Sequence, residues 1–449
     1  MIASSLDHAV GIASGLDLEQ VPAETIRQAG HVIADTVAVS REGARQSEFV
    51  QFVTLCEADG TVGAAGESEE PFAGTSLRAA TVLSSPVLRS TAGSAAFLNA
   101  TAGSFLEMDE GMRPTGHPGM QIVPAALAVA EQVGAPGSAL LRAVLVGYET
   151  ASRLFRAFRL QYPVHPHGHF GAVGSAVAVA TLTGANPIEA ARIAATTPIL
   201  SIWDACYEGA TARNTWMGLA AQSGVRASAL AAAGFAGSST ALEIAFGQVA
   251  GELVDADALE APLFYDNLGI DNNYFKLHSA CALSHAALDA IAQLNLPRPE
   301  DIRRITVETV SNNMKLNRLP QPNSLSTRFS LPYAVATAVT LRRSDPDAFE
   351  FRPDVAELAT QVTVSVADDL ERQWPGASPA RVTVHWDGGS ATAEVANPHG
   401  FHADPISADE LKSKFDQLVD EPGVAWEWWD KLTHLRDIGN CSSLFLEQS

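Results

Sequence analysis

What this sequence lacks narrows it first. Among 449 residues only four are cysteine: Cys56, Cys206, Cys281 and Cys441. None forms a C-x-x-C pair, which argues against a disulfide framework or iron–sulfur cage and fits the reduced thiols of a cytosolic enzyme. Basic charge is scarce too, with 29 Lys plus Arg against 51 Asp plus Glu and a formal net charge of -22. Such a chain repels nucleic acid and anionic lipid at long range, so neither is expected as a partner. No long apolar run goes uninterrupted. Phe170 to Ile188, the longest conspicuous uncharged segment, contains Gly171, Gly174, Gly184 and Pro187 and reads as a buried helix rather than a membrane span. The first twenty residues carry Asp7, Asp17 and Glu19 without a basic leader, so no signal peptide is expected and the placement is cytoplasmic. Also missing are a Walker loop, a G-x-G-x-x-G fingerprint, a G-x-S-x-G elbow and an H-E-x-x-H pair, which removes the commonest cofactor and hydrolase readings.

What is present is a hydrophobic content of 47%, enough for a sizeable core, and a change of rhythm along the chain. To about residue 270 the pattern is helical, in Ala-rich segments punctuated by Gly and Pro. Ser138 is a candidate cap for a helix with Leu141, Val144, Leu145 and Tyr148 on one face. Asn186, Pro187 and Glu189 form a second start signal, and Gly234 a stop. After residue 300 the period becomes two: Ile305, Val307 and Thr309, then Val362, Val364 and Val366, alternate with more polar neighbours. RVTVHWDGGSATAEV reads as a hairpin turning at Asp387-Gly388. Helix returns at the end, where Ser407 and Glu410 make a capping box ahead of Leu411, Phe415 and Leu418.

Two clusters carry candidate chemistry. EMDEGMRPTGHPG, residues 107 to 119, is an ionisable loop between small, apolar, helix-like flanks. His117, held between Gly116 and Pro118, is a proton carrier near neutral pH; Glu107, Asp109 and Glu110 are placed to orient it, and Arg113 to hold a carboxylate. VHPHGHFGAVGSA supplies His165, His167 and His169 ahead of an apolar run. Alternating imidazoles invite a metal, but no nearby Cys or carboxylate completes a ligand set, and Pro166 and Gly168 oppose a regular strand. A loop feeding a helix N-terminus, which attracts anions, is the preferred reading, and no metal is expected. Arg213 and Lys276 are further carboxylate anchors, although Arg213 serves equally well as the partner of an acid at a helix end. Cys281 reads as a small buried side chain before it reads as a nucleophile.

Six segments in order, NATAGSFLEMDEGMRPTGHPG, GYETASRL, HPHGHFGAVGSA, RNTWMGLAAQSGVRASALAAAGFAG, FKLHSACALSHAALDA and RFSLPYAVATA, resemble the MmgE/PrpD family. That family includes 2-methylcitrate dehydratase, cis-aconitate decarboxylase and iminodisuccinate epimerase. The resemblance implies a mainly α fold with an α+β lid: a large all-helical domain from both chain ends, 1–270 completed by 402–449, and an inserted α+β domain, 271–401. It also implies a homodimer and an acid/base cleft with no cofactor or metal. His117 matches the family's catalytic-loop His, and His165 the His before the glycine-rich helix start. Against the decarboxylase-like pattern, Glu107 replaces Asp, Gly111 replaces Thr, Arg213 replaces Lys and Cys281 replaces His.

The expected activity is therefore that of a cofactor-free lyase on a small di- or tricarboxylate, by proton abstraction alpha to a carboxylate with loss or addition of water. His117 and His165 are the two proton carriers, base and acid unassigned, with Asp109 as orienter. Arg113, Arg213, Lys276, His167 and Cys281 form the substrate-binding set. Epimerisation of an amino- or imino-dicarboxylate, decarboxylation, and a non-catalytic polycarboxylate-binding dimer are the alternatives.

Overall fold

The structure, a computed structural model, describes residues 2–64, 80–113 and 115–445, with side chains from Ser5 onward. The fold is mainly helical. Helices Ala92–Ser104, Pro118–Val133, Gly137–Ala157, His169–Thr183 and Thr215–Ala232 pack on one another. Their contact faces are short-chained, which lets backbones approach closely. The tightest point is the crossing of Gly137–Ala157 with His169–Thr183: a Cβ on Gly147 would lie 2.6 Å from the carbonyl oxygen of Gly174, and one on Gly174 2.7 Å from that of Gly147. Both positions accept only hydrogen without a shift of backbone. Gly147→Ala is accordingly expected to cost about 1–3 kcal/mol through overpacking, read as a lowered denaturation midpoint; an unchanged midpoint would contradict this close approach.

The local signals act where they were expected. Asn186 accepts hydrogen bonds from the amides of Ile188 and Glu189. Ser407 and Glu410 form a reciprocal capping box, and Gly234 takes a positive φ of 86° just past the Thr215–Ala232 helix. One start differs: the Gly137–Ala157 helix begins ahead of Ser138, with Pro136 at the cap, because Pro presets a suitable φ and needs no donor there. The C-terminal helices Ala408–Val419 and Pro422–Thr433 return to pack on Ala23–Gly43. There C-terminal residues, Leu411, Phe415, Trp428 and Leu432 among them, join a core whose other members are drawn from residues 6 to 275.

A second core is built on a four-stranded sheet, ordered Gly389–Val395, Ala380–Trp386, Ile302–Thr309, Val362–Val366. The first two strands form the hairpin at Asp387-Gly388, with Trp386 opposite Gly389, and the last two run parallel. Helices His285–Ala292 and Leu331–Leu341 contribute Leu288, Ile291, Val335 and Val339 to this core. Trp203, Cys206 and Tyr207, from the N-terminal helical stretch, are also buried in it. The helical part carries short strands that periodicity did not reveal: Val62–Ala64, Ala80–Val82 and Leu88–Ser90 form one small sheet, and Gly111–Met112 pairs with Asn273–Tyr274. Two or three residues are too few to display a period of two. No helix among the described residues is long and apolar enough to cross a membrane.

Candidate active site

The loop after Ala92–Ser104 is bent back by Glu107, a non-glycine residue at φ 51°. That left-handed conformation is costly and persists only where surroundings enforce it. Here the enforcement is ionic. Glu107 Oε1 lies 2.7 Å from Arg213 Nη1, and Oε2 lies 3.1 Å from Lys276 Nζ. Lys276 also reaches Asp109 Oδ1 at 3.2 Å. It is brought there by the pairing of Gly111 with Tyr274; a side chain at 111 would collide with the Tyr274 ring. From the C-terminal helix, Lys414 pairs with Asp35 at 2.6 Å and donates to the Met108 carbonyl at 2.9 Å. Both chain ends thus hold the loop in place.

Four charges, two of each sign, are buried here. Burial alone would raise the carboxyls of Glu107 and Asp109, but the neighbouring cations win: Arg213 and Lys276 lower Glu107, and Lys276, His117 and Arg213 hold Asp109 well below the usual range. Burial likewise opposes the charge of Lys276 and Arg213, and their carboxylate partners overcome it.

His117 caps the Pro118–Val133 helix with Pro118 in its first turn. Its Nδ1 lies 2.9 Å from Asp109 Oδ2 and 2.8 Å from the main-chain oxygen of Glu110. Both neighbours only accept, so Nδ1 carries the proton and Nε2 is left with its lone pair, without a partner among the described residues. Gln121 then ties this loop to the second one. Its Nε2 donates to the His117 carbonyl at 2.9 Å and its Oε1 accepts from the Gly168 amide at 3.0 Å. A side chain on Gly171 would occupy the space of that amide group.

The second loop bends at Gly168, φ 93°, before the His169–Thr183 helix. The Ser201 hydroxyl lies 2.6 Å from the carbonyl oxygens of both His165 and His167. The three alternating histidines do not share a face. His165 and His167 line the same cavity as His117, whereas His169 donates from Nε2 to the His165 carbonyl at 2.8 Å and lies edge-on to Phe246. The His167 ring stands between the other two, its centroid 5.0 Å from His117 and 4.2 Å from His165. Arg213 Nη2 lies 3.3 Å from His167 Nδ1. A guanidinium can only donate, so His167 Nδ1 accepts and its Nε2 holds the proton. Burial, followed by Arg213 and neighbouring imidazoles, drives the pKa of His165 well below its ordinary value. Burial, His165 and Arg213 do the same to His167. Both rings are uncharged at neutral pH.

The cavity holds about 130 Å³. A larger one, about 630 Å³, near His31, Asp271 and His402, contains neither a carboxylate-backed imidazole nor a buried cation network. Of the residues singled out by sequence, Glu107, His117, His165, His167, Arg113, Lys276 and Cys281 line the small cavity; Asp109 and Arg213 sit behind its wall, in contact with those that do. The Arg113 guanidinium lies 4.9 Å from the Phe401 ring centre and 5.6 Å from that of Trp374. Cys281 is a neutral thiol, its pKa pushed up to about 11 by burial and Glu107. Sequence reasoning missed Asn312, Lys315, Trp203, Tyr274, Phe329 and Trp374, which also line the wall. They come from separate segments, and no local spacing marks them. Among the described residues no group of three or more His, Cys, Asp or Glu is arranged to hold a metal ion.

Glu110 turns away from the cavity. It accepts from the Gly119 amide and lies 3.0 Å from the Tyr148 hydroxyl. Burial raises its pKa from 4.5 to about 8, so the folded protein binds a proton that the unfolded chain has already released. The linkage sign follows: this contribution is fully present below the unfolded value and is lost as pH rises through about 8. Denaturation of wild type and Glu110→Gln at pH 5 and pH 8 is expected to show a smaller alkaline loss in the variant, by on the order of a few kcal/mol. Parallel pH profiles would contradict the assignment.

The chain matches the MmgE/PrpD N-terminal domain over residues 10–254 and the MmgE/PrpD C-terminal domain over residues 278–424. It is 24% identical to a cis-aconitate decarboxylase of Aspergillus terreus (strain NIH 2624 / FGSC A1156), across 91% of this chain and 87% of the relative. A second cis-aconitate decarboxylase of Aspergillus terreus is 25% identical with the same coverage. The six ordered segments, the two cores and a domain match spanning more than half of the length agree, and the chain belongs to the MmgE/PrpD family.

Proposed function

We propose that this protein is a lyase acting on a small di- or tricarboxylate, removing a proton alpha to a carboxylate and expelling a β-hydroxyl as water, or running the hydration in reverse. One observation carries the reading: His117 is backed by an anionic Asp109 at Nδ1, has a free Nε2, and shares a small cavity with two uncharged imidazoles and Arg113. In the dehydration, Nε2 takes the proton from the alpha carbon and the C–H electron pair becomes the new double bond. The C–O bond breaks, and the oxygen leaves as water after recovering a proton from the His117 imidazolium. Asp109 keeps the ring in the productive tautomer and stabilises that imidazolium. His167, fixed as an N–H donor, and His165 line the wall beside the charge that builds on the enolate-like carboxylate, while Arg113 neutralises it.

The roles thus divide differently from two equivalent proton carriers. His165 is uncharged at neutral pH and no carboxylate backs its ring among the described residues, so the proton transfer is given to His117, whose Nδ1 lies beside Asp109. Decarboxylation is the second reading, supported by the names of the two relatives and by the sufficiency of one proton donor once a C–C bond has broken. Against it stand Arg213 and Cys281, at positions where the decarboxylase-like pattern has Lys and His. The test is incubation with citrate, 2-methylcitrate and cis-aconitate. Interconversion of hydroxy acid and alkene, followed by ultraviolet absorbance, without release of CO2 is the expected result. Stoichiometric CO2 would assign decarboxylation, and solvent deuterium in recovered substrate without any alkene would assign epimerisation.

A further inference from the structure

The charges around the cavity do not balance. Lys276 and Arg213 are matched by Glu107 and Asp109, Glu110 is protonated at neutral pH, and the imidazoles of His165 and His167 are neutral. Two cations remain in the wall, Arg113 and Lys315, and neither has a carboxylate partner among the described residues. Lys315 lies with its ammonium 4.8 Å from the Trp203 ring centre. A ring face replaces only part of the hydration that a half-buried ammonium loses. In a chain of net charge -22, two uncompensated cations converging on one small cavity describe the complement of a dianion.

The presentation of Lys315 is rigid. It belongs to the 3-10 helix Ser311–Leu316, in which residues three apart eclipse, so Asn312 shares its face and lines the same cavity. That helix is pinned at its start by Glu371, which accepts from the Ser311 amide and hydroxyl at 2.6 Å each. It is pinned again by Asn313, which donates to Thr309 Oγ1 at 2.9 Å. Arg113 comes from the loop of the helical body, whereas Lys315 follows a strand of the second core. A ligand spanning them bridges the two parts of the chain.

We propose that Lys315, with Asn312 beside it, is a second carboxylate anchor of this site, and that the substrate presents one carboxylate to Arg113 and another to Lys315. This rests on the polycarboxylate reading above and sharpens it: monocarboxylates are disfavoured because they would leave one half-buried cation unmatched.

Propane-1,2,3-tricarboxylate, which has neither a hydroxyl to lose nor an alkene to hydrate, separates binding from turnover. Calorimetric titration is expected to show binding to the wild type and affinity reduced by about 10- to 100-fold in Lys315→Met, with Lys315→Arg recovering most of the loss. Met keeps an unbranched side chain of similar length without the charge, so the loss reports the charge; Lys315→Gln, titrated in the same way, serves if the Met form is unstable. Equal affinity in wild type and the uncharged variants would overturn the role of Lys315 and leave the polycarboxylate reading standing. Absence of binding to the wild type would overturn both.

Discussion

His117→Gln lowers kcat by about 10²- to 10⁴-fold, the range that general acid–base catalysis contributes, while thermal stability stays near that of the wild type. The stability half of this expectation is structural. The His117 side chain makes no cap hydrogen bond to the helix it precedes, and Asp109, which loses its imidazole partner, keeps Lys276 at 3.2 Å. A glutamine side-chain amide can still donate to Asp109, so no buried carboxylate is stranded. The kinetic half follows from the tautomer: Nε2 is the ring nitrogen with a lone pair, while the opposite nitrogen is held by the Glu110 carbonyl oxygen and lies beside the Asp109 carboxylate. KM is expected to change little, because the imidazole acts in the transition state rather than in holding the carboxylates. A loss confined to KM, or a kcat within a few-fold of the wild type, would place proton transfer elsewhere.

Arg213→Met separates two roles that sequence alone left equal. If Arg213 anchored substrate, its loss would raise KM and leave the fold intact. Its observed partners are instead Glu107 at 2.7 Å, His167 at 3.3 Å and the Ser104 carbonyl at 3.3 Å, and it is 1% exposed. Removing one member of a buried ion pair strands the other, at a cost of about 3–5 kcal/mol. The expected result is a large fall in the denaturation midpoint. Adding Glu107→Gln should restore much of it, because Lys276 and Asp109 remain paired and no orphaned charge survives. An Arg213→Met protein of wild-type stability with raised KM would show that the guanidinium faces substrate.

Much of the fold was legible because its signals are local. Asn186, the Ser407–Glu410 box and the Asp387-Gly388 turn act on neighbours a few residues away, and the period of 302–309 and 362–366 is carried by each strand itself. The paired strands of two or three residues are too short for such a pattern, and the burial of Trp203 and Tyr207 in the second core depends on the tertiary arrangement. At the site, the crowding of ionisable groups among Gly and Pro drew attention to both histidine loops. It did not reveal where the charges go. Lys276 and Glu107 are 169 positions apart, so nothing in either segment shows that a presumed substrate anchor is neutralised by the chain itself. Lys315 is the converse case: an unremarked Lys in SNNMKL becomes an unmatched cation once the fold is formed.

Solvent exchange tests the central claim most directly. In D2O, the hydroxy acid recovered from the wild type should carry deuterium at the carbon alpha to a carboxylate, as measured by mass spectrometry, and that recovered from folded His117→Gln should not. Equal labelling by the two proteins would show that another group moves this proton and would contradict the assignment of His117.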